Sequence, residues 1–223
     1  MPDSPKDLPG RLLPRSFFEH SPELVAPRLL GKLLVALTGR VGAPLAGRIV
    51  EVEAYLGPHN DPPDPAAHTH RGPTPRNEVL FGPAGHAYVY AIYGRYFCMN
   101  ISCEIEGRAG CVLLRALEPV SGRAKMAANR GLLPDATPSA LTSGPSRLCQ
   151  ALGLTRKVHN RLDVTCATSR LQVRDDGCPV FEALVTVRIG IKHAVDWPLR
   201  FTLPDHKCVS GARNLTGTRL VLK

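Results

Sequence analysis

The clearest hydrophobic pattern in the chain lies at residues 47–55, a β-branched run in which apolar and polar side chains interleave between breakers. It predicts a strand whose alternation places Ile49, Glu51, Glu53 and Tyr55 on one face and Arg48, Val50, Val52 and Ala54 on the other. Residues 32–37 predict its partner, joined through a turn at 39–44. Residues 86–92 and 96–102 predict a hairpin with Gly94 as the first central residue of a two-residue type II′ turn. Residues 111–117 read as a strand interrupted by Arg115, and 185–191 and 199–203 as late strands flanking the only tryptophan, Trp197. Ser16 and Glu19 suggest a capping box around Phe17 and Phe18. Ser21-Pro22-Glu23 opens a short helix that carries Leu24, Val25, Leu29 and Leu30, bends at Pro27 and stops at Gly31. Residues 123–129 and 146–152 also read as helices, the second opened by Ser143-Gly144-Pro145. Between Gly57 and Gly85 seven prolines restrict the chain to a long loop with short turns at Asp64-Pro65 and Thr74-Pro75.

These elements predict a mixed α/β (α+β) fold: one domain over residues 11–223, preceded by a flexible tail at 1–10. The expected architecture is a curved, mainly antiparallel β-sheet surrounded by helices, with a protruding β-hairpin. Its 223 residues suffice for a substantial core. The seven cysteines contain no C-x-x-C pair, so they read as reduced thiols rather than a zinc site. No signal peptide and no long apolar run are evident, which leads us to expect no membrane association and a cytoplasmic, nucleoid-associated protein.

Charge narrows the range of partners. The net charge is +9, and arginine outnumbers lysine 21 to 7. Guanidinium groups can contact a phosphate through two hydrogen bonds, so the excess suits a nucleic acid, although a merely solubilising basic surface has the same composition.

The candidate chemistry lies where the predicted strand at 47–55 meets the proline-rich loop, because a rigid strand end beside a loop is a frequent place for catalytic groups. Glu51 and Glu53 share a face there, a pair that on a solvated edge would be unremarkable. All five tyrosines fall between residues 55 and 96. Tyr88 and Tyr90 share a hairpin face, Tyr93 is placed to project from the tip, and Tyr88 and Tyr96 suit ordinary cross-strand packing. Aromatic side chains can stack on an extruded base while a nearby carboxylate acts on its sugar, a combination that suggests base excision.

The segments Arg48-Ile-Val-Glu-Val-Glu-Ala-Tyr-Leu-Gly-Pro58, Ala66-Ala-His68, Thr74-Pro-Arg-Asn77, Tyr88-Val-Tyr-Ala-Ile-Tyr-Gly94, Tyr96-Phe-Cys-Met-Asn-Ile-Ser102, Val112-Leu-Leu-Arg-Ala-Leu-Glu-Pro119 and Ser143-Gly-Pro-Ser-Arg-Leu-Cys-Gln150 resemble the alkyladenine (3-methyladenine) DNA glycosylase family. The resemblance runs from about residue 10 to the end and is densest between 47 and 119. It implies that Glu53 is the general base that activates water, with Arg115 beside that water. By the same resemblance Tyr55, His68 and Tyr90 hold the flipped base, Asn100 disfavours the exocyclic amino group of guanine, and Tyr93 fills the vacated space in the duplex. Glu51 has no catalytic counterpart and reads as structural support. The loop after His68 is one residue shorter than in vertebrate members, and Arg95 stands at a hairpin position that is often apolar.

The implied activity is that of a monofunctional DNA glycosylase acting on alkylated or deaminated purines in double-stranded DNA. The protein is expected to be a monomer and to need neither metal nor organic cofactor. Arg71, Arg76, Arg95 and the helix start after Ser143 are the candidate contacts to the DNA backbone. No lysine occurs between Lys32 and Lys125, which disfavours an imine-forming, strand-cleaving enzyme. Three alternatives remain open on sequence: a bifunctional glycosylase using Pro2, a metal hydrolase built around His68 and His70, and a non-enzymatic binder of distorted nucleic acid.

Overall fold

The computed structural model describes residues 8–37, 43–211 and 215–222. Residues 1–7 of the expected tail and most of the expected turn at 39–44 lie outside them; the carbonyls of Pro9 and Gly10, which are described, accept hydrogen bonds from Arg174. Ten strands among the described residues form a curled half-barrel: β1 (Arg11–Leu12), β2 (Leu33–Ala36), β3 (Leu45–Tyr55), β4 (Ala87–Ile92), β5 (Tyr96–Cys103), β6 (Gly110–Ser121), β7 (Leu171–Asp175), β8 (Glu182–Thr186), β9 (Arg200–Thr202) and β10 (Thr218–Val221). The main order is β1-β7-β2-β3-β6-β5-β4, and every pairing among these strands is antiparallel. The mixed α/β architecture thus agrees with the sequence pattern.

β3 organises the sheet. One edge pairs with β6 along nearly its whole length; the other pairs first with β2 at residues 45–48 and then with β9 at 51–53. Both carboxylates of β3 lie in the half that meets β9. Opposite β6, Ile49 pairs with Leu117, Glu51 with Ala116 and Val52 with Leu114. Val50 is therefore an extra residue on β3, and Arg115 an extra one on β6. Such bulges break the two-residue period and re-aim side chains. Ile49 packs in the main core with Val52 and Ala54, while Val50 joins Ala116 and Cys208 in a smaller cluster. This corrects the expectation that Ile49 shares a face with Glu51 and Glu53. It also corrects the expected interruption at Arg115: β6 continues through it, because the charged side chain has two carboxylates to meet.

Among the described residues, five short helices cover the sheet: α1 (Pro22–Leu29), α2 (Arg123–Arg130), α3 (Pro138–Thr142), α4 (Pro145–Ala151) and α5 (Arg156–His159). Prolines 22, 138 and 145 stand in their first turns, where a missing N–H leaves no bond unmade. Residues 15–17 form a 3₁₀ turn that begins at Pro14 without a side-chain cap, so no capping box forms around Phe17. The strand predicted at 185–191 ends at Thr186, and the chain beyond it turns toward β3 instead. β7 and β10 were not evident in the sequence pattern. The proline-rich segment contains the expected turns, with Ala67 N–H bonded to Asp64 C=O and Asn77 N–H to Thr74 C=O.

Candidate active site

Glu53 is fully buried yet surrounded by donors. Its Oε2 accepts from the Tyr55 hydroxyl at 2.9 Å and from Arg115 Nη1 at 3.3 Å, and its Oε1 accepts the Ile189 backbone N–H at 2.7 Å. Tyr55 and Glu53 sit two residues apart on one strand face, as the period-2 reading required. Burial foremost, and then the negative charge of Glu53, raise the Tyr55 pKa, so its hydroxyl stays a donor. Burial alone would lower the Arg115 pKa, but Glu53 and Glu51 outweigh it and raise it, keeping the guanidinium charged.

Glu51, also fully buried, is held more completely. It accepts from Arg115 Nε and Arg200 Nε, both at 2.8 Å, and from the Ser210 N–H at 2.6 Å and hydroxyl at 2.9 Å. Two carboxylates and two guanidinium groups thus form a balanced buried network, in which an unpaired charge would be costly.

The aromatic cluster adjoins this network through Tyr55. Tyr88 and Tyr90 stack with ring centroids 5.0 Å apart, and His68 meets the Tyr90 ring edge-on at 4.7 Å. His68 Nδ1 and the Tyr88 hydroxyl are hydrogen-bonded at 3.1 Å. Desolvation, then the charge of Arg76, lower the His68 pKa and favour the neutral ring. Desolvation likewise raises the Tyr88 and Tyr90 pKa values. Tyr55 and Tyr90 pack against a small core of Leu80, Tyr88 and Cys111. Asn100, buried on β5, donates through Nδ2 to Cys111 Sγ at 3.0 Å, while its Oδ1 has no partner among the described residues. Burial raises the Cys111 pKa to about 12, so it is a neutral thiol there.

A cavity of about 440 Å³ opens beside this cluster, lined by His68, Tyr88, Arg71, Arg76, Asn77 and His193 among others. A cavity of about 500 Å³ lies elsewhere, around Phe17, Arg28 and Lys32, and touches neither carboxylate.

Tyr93 stands at the hairpin tip with 91 % of its surface exposed. The turn differs from the predicted type II′ form: Ile92 pairs with Tyr96, leaving Tyr93, Gly94 and Arg95 as a three-residue loop with φ of 48° at Tyr93 and 74° at Gly94. Arg95 folds back over the Tyr96 ring at 4.8 Å and donates to its hydroxyl. Arg71 and Arg76 are exposed, and the Arg76 guanidinium lies 5.7 Å from the Tyr90 ring centroid. Ser143 is half-buried between α3 and α4, where its hydroxyl donates to the Val209 carbonyl.

Several members of the site were not singled out from sequence. Arg188 is buried, lies 4.7 Å from the Tyr55 ring centroid and grips Asp64 through two bonds of 2.5 and 3.0 Å. Asp64 in turn accepts the Leu56 N–H, pinning the proline-rich loop to the end of β3. Arg188 and Arg200 carried a usable signal, since each is a charged residue inside an apolar, strand-like run. The Ile189 amide carried none, because its role is made by backbone position, and Ser210, which bonds Glu51 through both its N–H and its hydroxyl, stands in no local pattern that marks it. His68 and His70, considered as a metal pair, lie on a turn, and no metal-holding cluster of three His, Cys, Asp or Glu occurs among the described residues.

The site thus joins a buried carboxylate to an aromatic cluster, with an exposed tyrosine on the neighbouring hairpin, in a chain of net charge +9. The chain belongs to the methylpurine-DNA glycosylase family, whose model matches residues 16–207. It is therefore a DNA glycosylase, a hydrolase of N-glycosyl bonds. Among its relatives is a protein of Koribacter versatilis named "Putative 3-methyladenine DNA glycosylase", 50% identical over 203 residues, covering 91% of this chain and 95% of that one. Proteins carrying the same name in Burkholderia lata and Methanoculleus marisnigri are 45% and 48% identical, covering 91% and 89% of this chain and 93% and 98% of their own lengths.

Proposed function

We propose that the protein is a monomeric, monofunctional glycosylase that rotates alkylated or deaminated purines, 3-methyladenine among them, out of duplex DNA and hydrolyses their bond to the sugar. In this reading Tyr93 enters the duplex, while Tyr55, His68 and Tyr90 receive the extruded base and Asn100 meets its edge. Arg71, Arg76 and Arg95 face the phosphates. A purine methylated at a ring nitrogen carries positive charge, which aromatic faces attract.

As the bond between the base and C1′ stretches, its electron pair departs with the base and positive charge gathers on the sugar. The Glu53 carboxylate stabilises that charge and takes a proton from water, whose oxygen forms the new bond to C1′. Tyr55, Arg115 and the Ile189 amide hold the carboxylate in one orientation, which lets it serve without rearranging. No lysine lies between Lys32 and Lys125 to form an imine, which supports simple hydrolysis.

The observation that carries this reading is the burial of Glu53 with hydrogen bonds to Tyr55 and Arg115 beside the aromatic cluster. Base release from duplexes carrying single methylated purines tests it, with Glu53→Gln as the control. The variant is expected to bind the lesion but release no base; release at the native rate would refute the assignment. Borohydride should trap no covalent protein–DNA complex.

A further inference from the structure

Arg200 has no role in the chemistry described above, although it is among the largest fully buried side chains in the molecule. Its backbone on β9 pairs with Glu53, but its guanidinium passes that residue and bonds to Glu51 at 2.8 Å. Its remaining nitrogens donate to the Ser210 carbonyl at 2.7 Å and the Thr186 hydroxyl at 3.3 Å. Every nitrogen is thereby used, and the side chain has one fixed pose.

Arg115 is shared. Its shorter carboxylate bond, 2.8 Å, goes to Glu51, and the longer, 3.3 Å, to Glu53. With a single guanidinium between two buried carboxylates, the closer claimant would hold it and the other would be left with one donor fewer. Two guanidinium groups relieve that competition.

We propose that Arg200 is a positioning residue which, by satisfying Glu51, leaves Arg115 free to reach across to Glu53. The inference rests on Glu53 as the water-activating carboxylate, and it assigns Glu51 the part of a regulator of Arg115 rather than a bystander. Substitution of Arg200 by a neutral residue leaves two negative charges to one positive. Removal of the Glu51 charge as well leaves one of each and returns Arg115 to Glu53. The two changes are therefore expected to compensate, whereas losses from mere packing damage would accumulate.

The test compares the native protein, Glu53→Gln, Glu51→Gln, Arg200→Gln and the Glu51→Gln/Arg200→Gln pair. Each is assayed for single-turnover base release on one methylated-purine duplex, for affinity to that duplex and for thermal unfolding. Arg200→Gln is expected to slow release by about 30-fold with affinity changed by less than about 3-fold, and the double variant to recover at least about 5-fold of the loss. If Arg200→Gln does not fold, the charge-balanced double variant is compared with Glu51→Gln. Equal rates support the proposal, and a further loss of about 10-fold overturns it. Native-rate release by Arg200→Gln, or a double variant slower than Arg200→Gln, also overturns it. Either result alongside an inactive Glu53→Gln sinks this inference alone, whereas an active Glu53→Gln removes the reading on which it stands.

Discussion

The Ile189 amide donates to Glu53 Oε1 at 2.7 Å, tying the loop after β8 to the carboxylate of β3 across 136 positions of sequence. The bond uses backbone rather than a side chain, so the residue type at 189 leaves it intact unless proline is placed there. Ile189→Pro is expected to slow base release by at least about 10-fold, the scale of one charge-assisted bond, while Ile189→Val stays within about 2-fold of native. Parallel single-turnover assays decide it; equal rates for the two variants would show the amide to be dispensable.

Tyr55 joins the aromatic cluster through its ring and the Glu53 carboxylate through its hydroxyl. Tyr55→Phe keeps the ring and removes the donor, so release should fall about 10- to 100-fold with lesion affinity little changed. A loss confined to affinity would place the ring, not the hydroxyl, at the centre of the residue's role.

Tyr93 combines exposure with a backbone conformation that favours glycine. Tyr93→Gly should therefore leave stability unchanged or raise it by about 1 kcal/mol, while weakening binding to lesion-containing duplex by about 1–3 kcal/mol through lost stacking. Calorimetry and DNA titration separate the two effects. Tight binding by a stabilised glycine variant would argue that the tip stays outside the duplex.

Gly57 closes β3 where the backbone passes so near Ala109 that an added Cβ would lie 1.4 Å from its carbonyl oxygen. Only displacement of one strand end can accommodate Gly57→Ala, and we expect a loss of about 3 kcal/mol or more in urea unfolding. A native midpoint would mean that the loop after β3 yields easily.

Desolvation lowers the pKa values of both His68 and His159 in the folded protein. The unfolded chain then binds protons more readily than the folded one between the lowered values and the ordinary value near 6.5. Stability is therefore complete above about pH 6.5 and falls as the pH drops through that window. His68→Asn should flatten part of the slope and leave the share due to His159. Denaturant midpoints measured from pH 7.5 down to 5 should reveal the difference, and an unchanged slope would exclude His68 as a contributor.

The strand at β3, the hairpin and the placing of Glu53 beside Tyr55 were legible because each depends on local alternation and on turn residues close in sequence. The tyrosine cluster was visible for the same reason: four of its members lie within nine residues on one hairpin. The double bulge was not, since it exists only in the register between β3 and β6, and it moved Ile49 away from Glu51 while aiming Arg115 inward. Nor did the pattern of residues 185–191 reveal that the strand stops at Thr186 so that the next turn can reach Glu53.

By itself the chain determined which groups are available: a carboxylate on a strand, an aromatic hairpin, an excess of arginine and the family resemblance carried by its motifs. The tertiary structure alone decided that Glu51 and Glu53 compete for Arg115, that Arg200 and Ser210 satisfy the first, and that Arg188 clamps the loop through Asp64. Those choices depend on buried charges finding partners from distant segments, because burial of an unpaired charge is too costly to tolerate, and no local pattern records which distant segment will supply the partner.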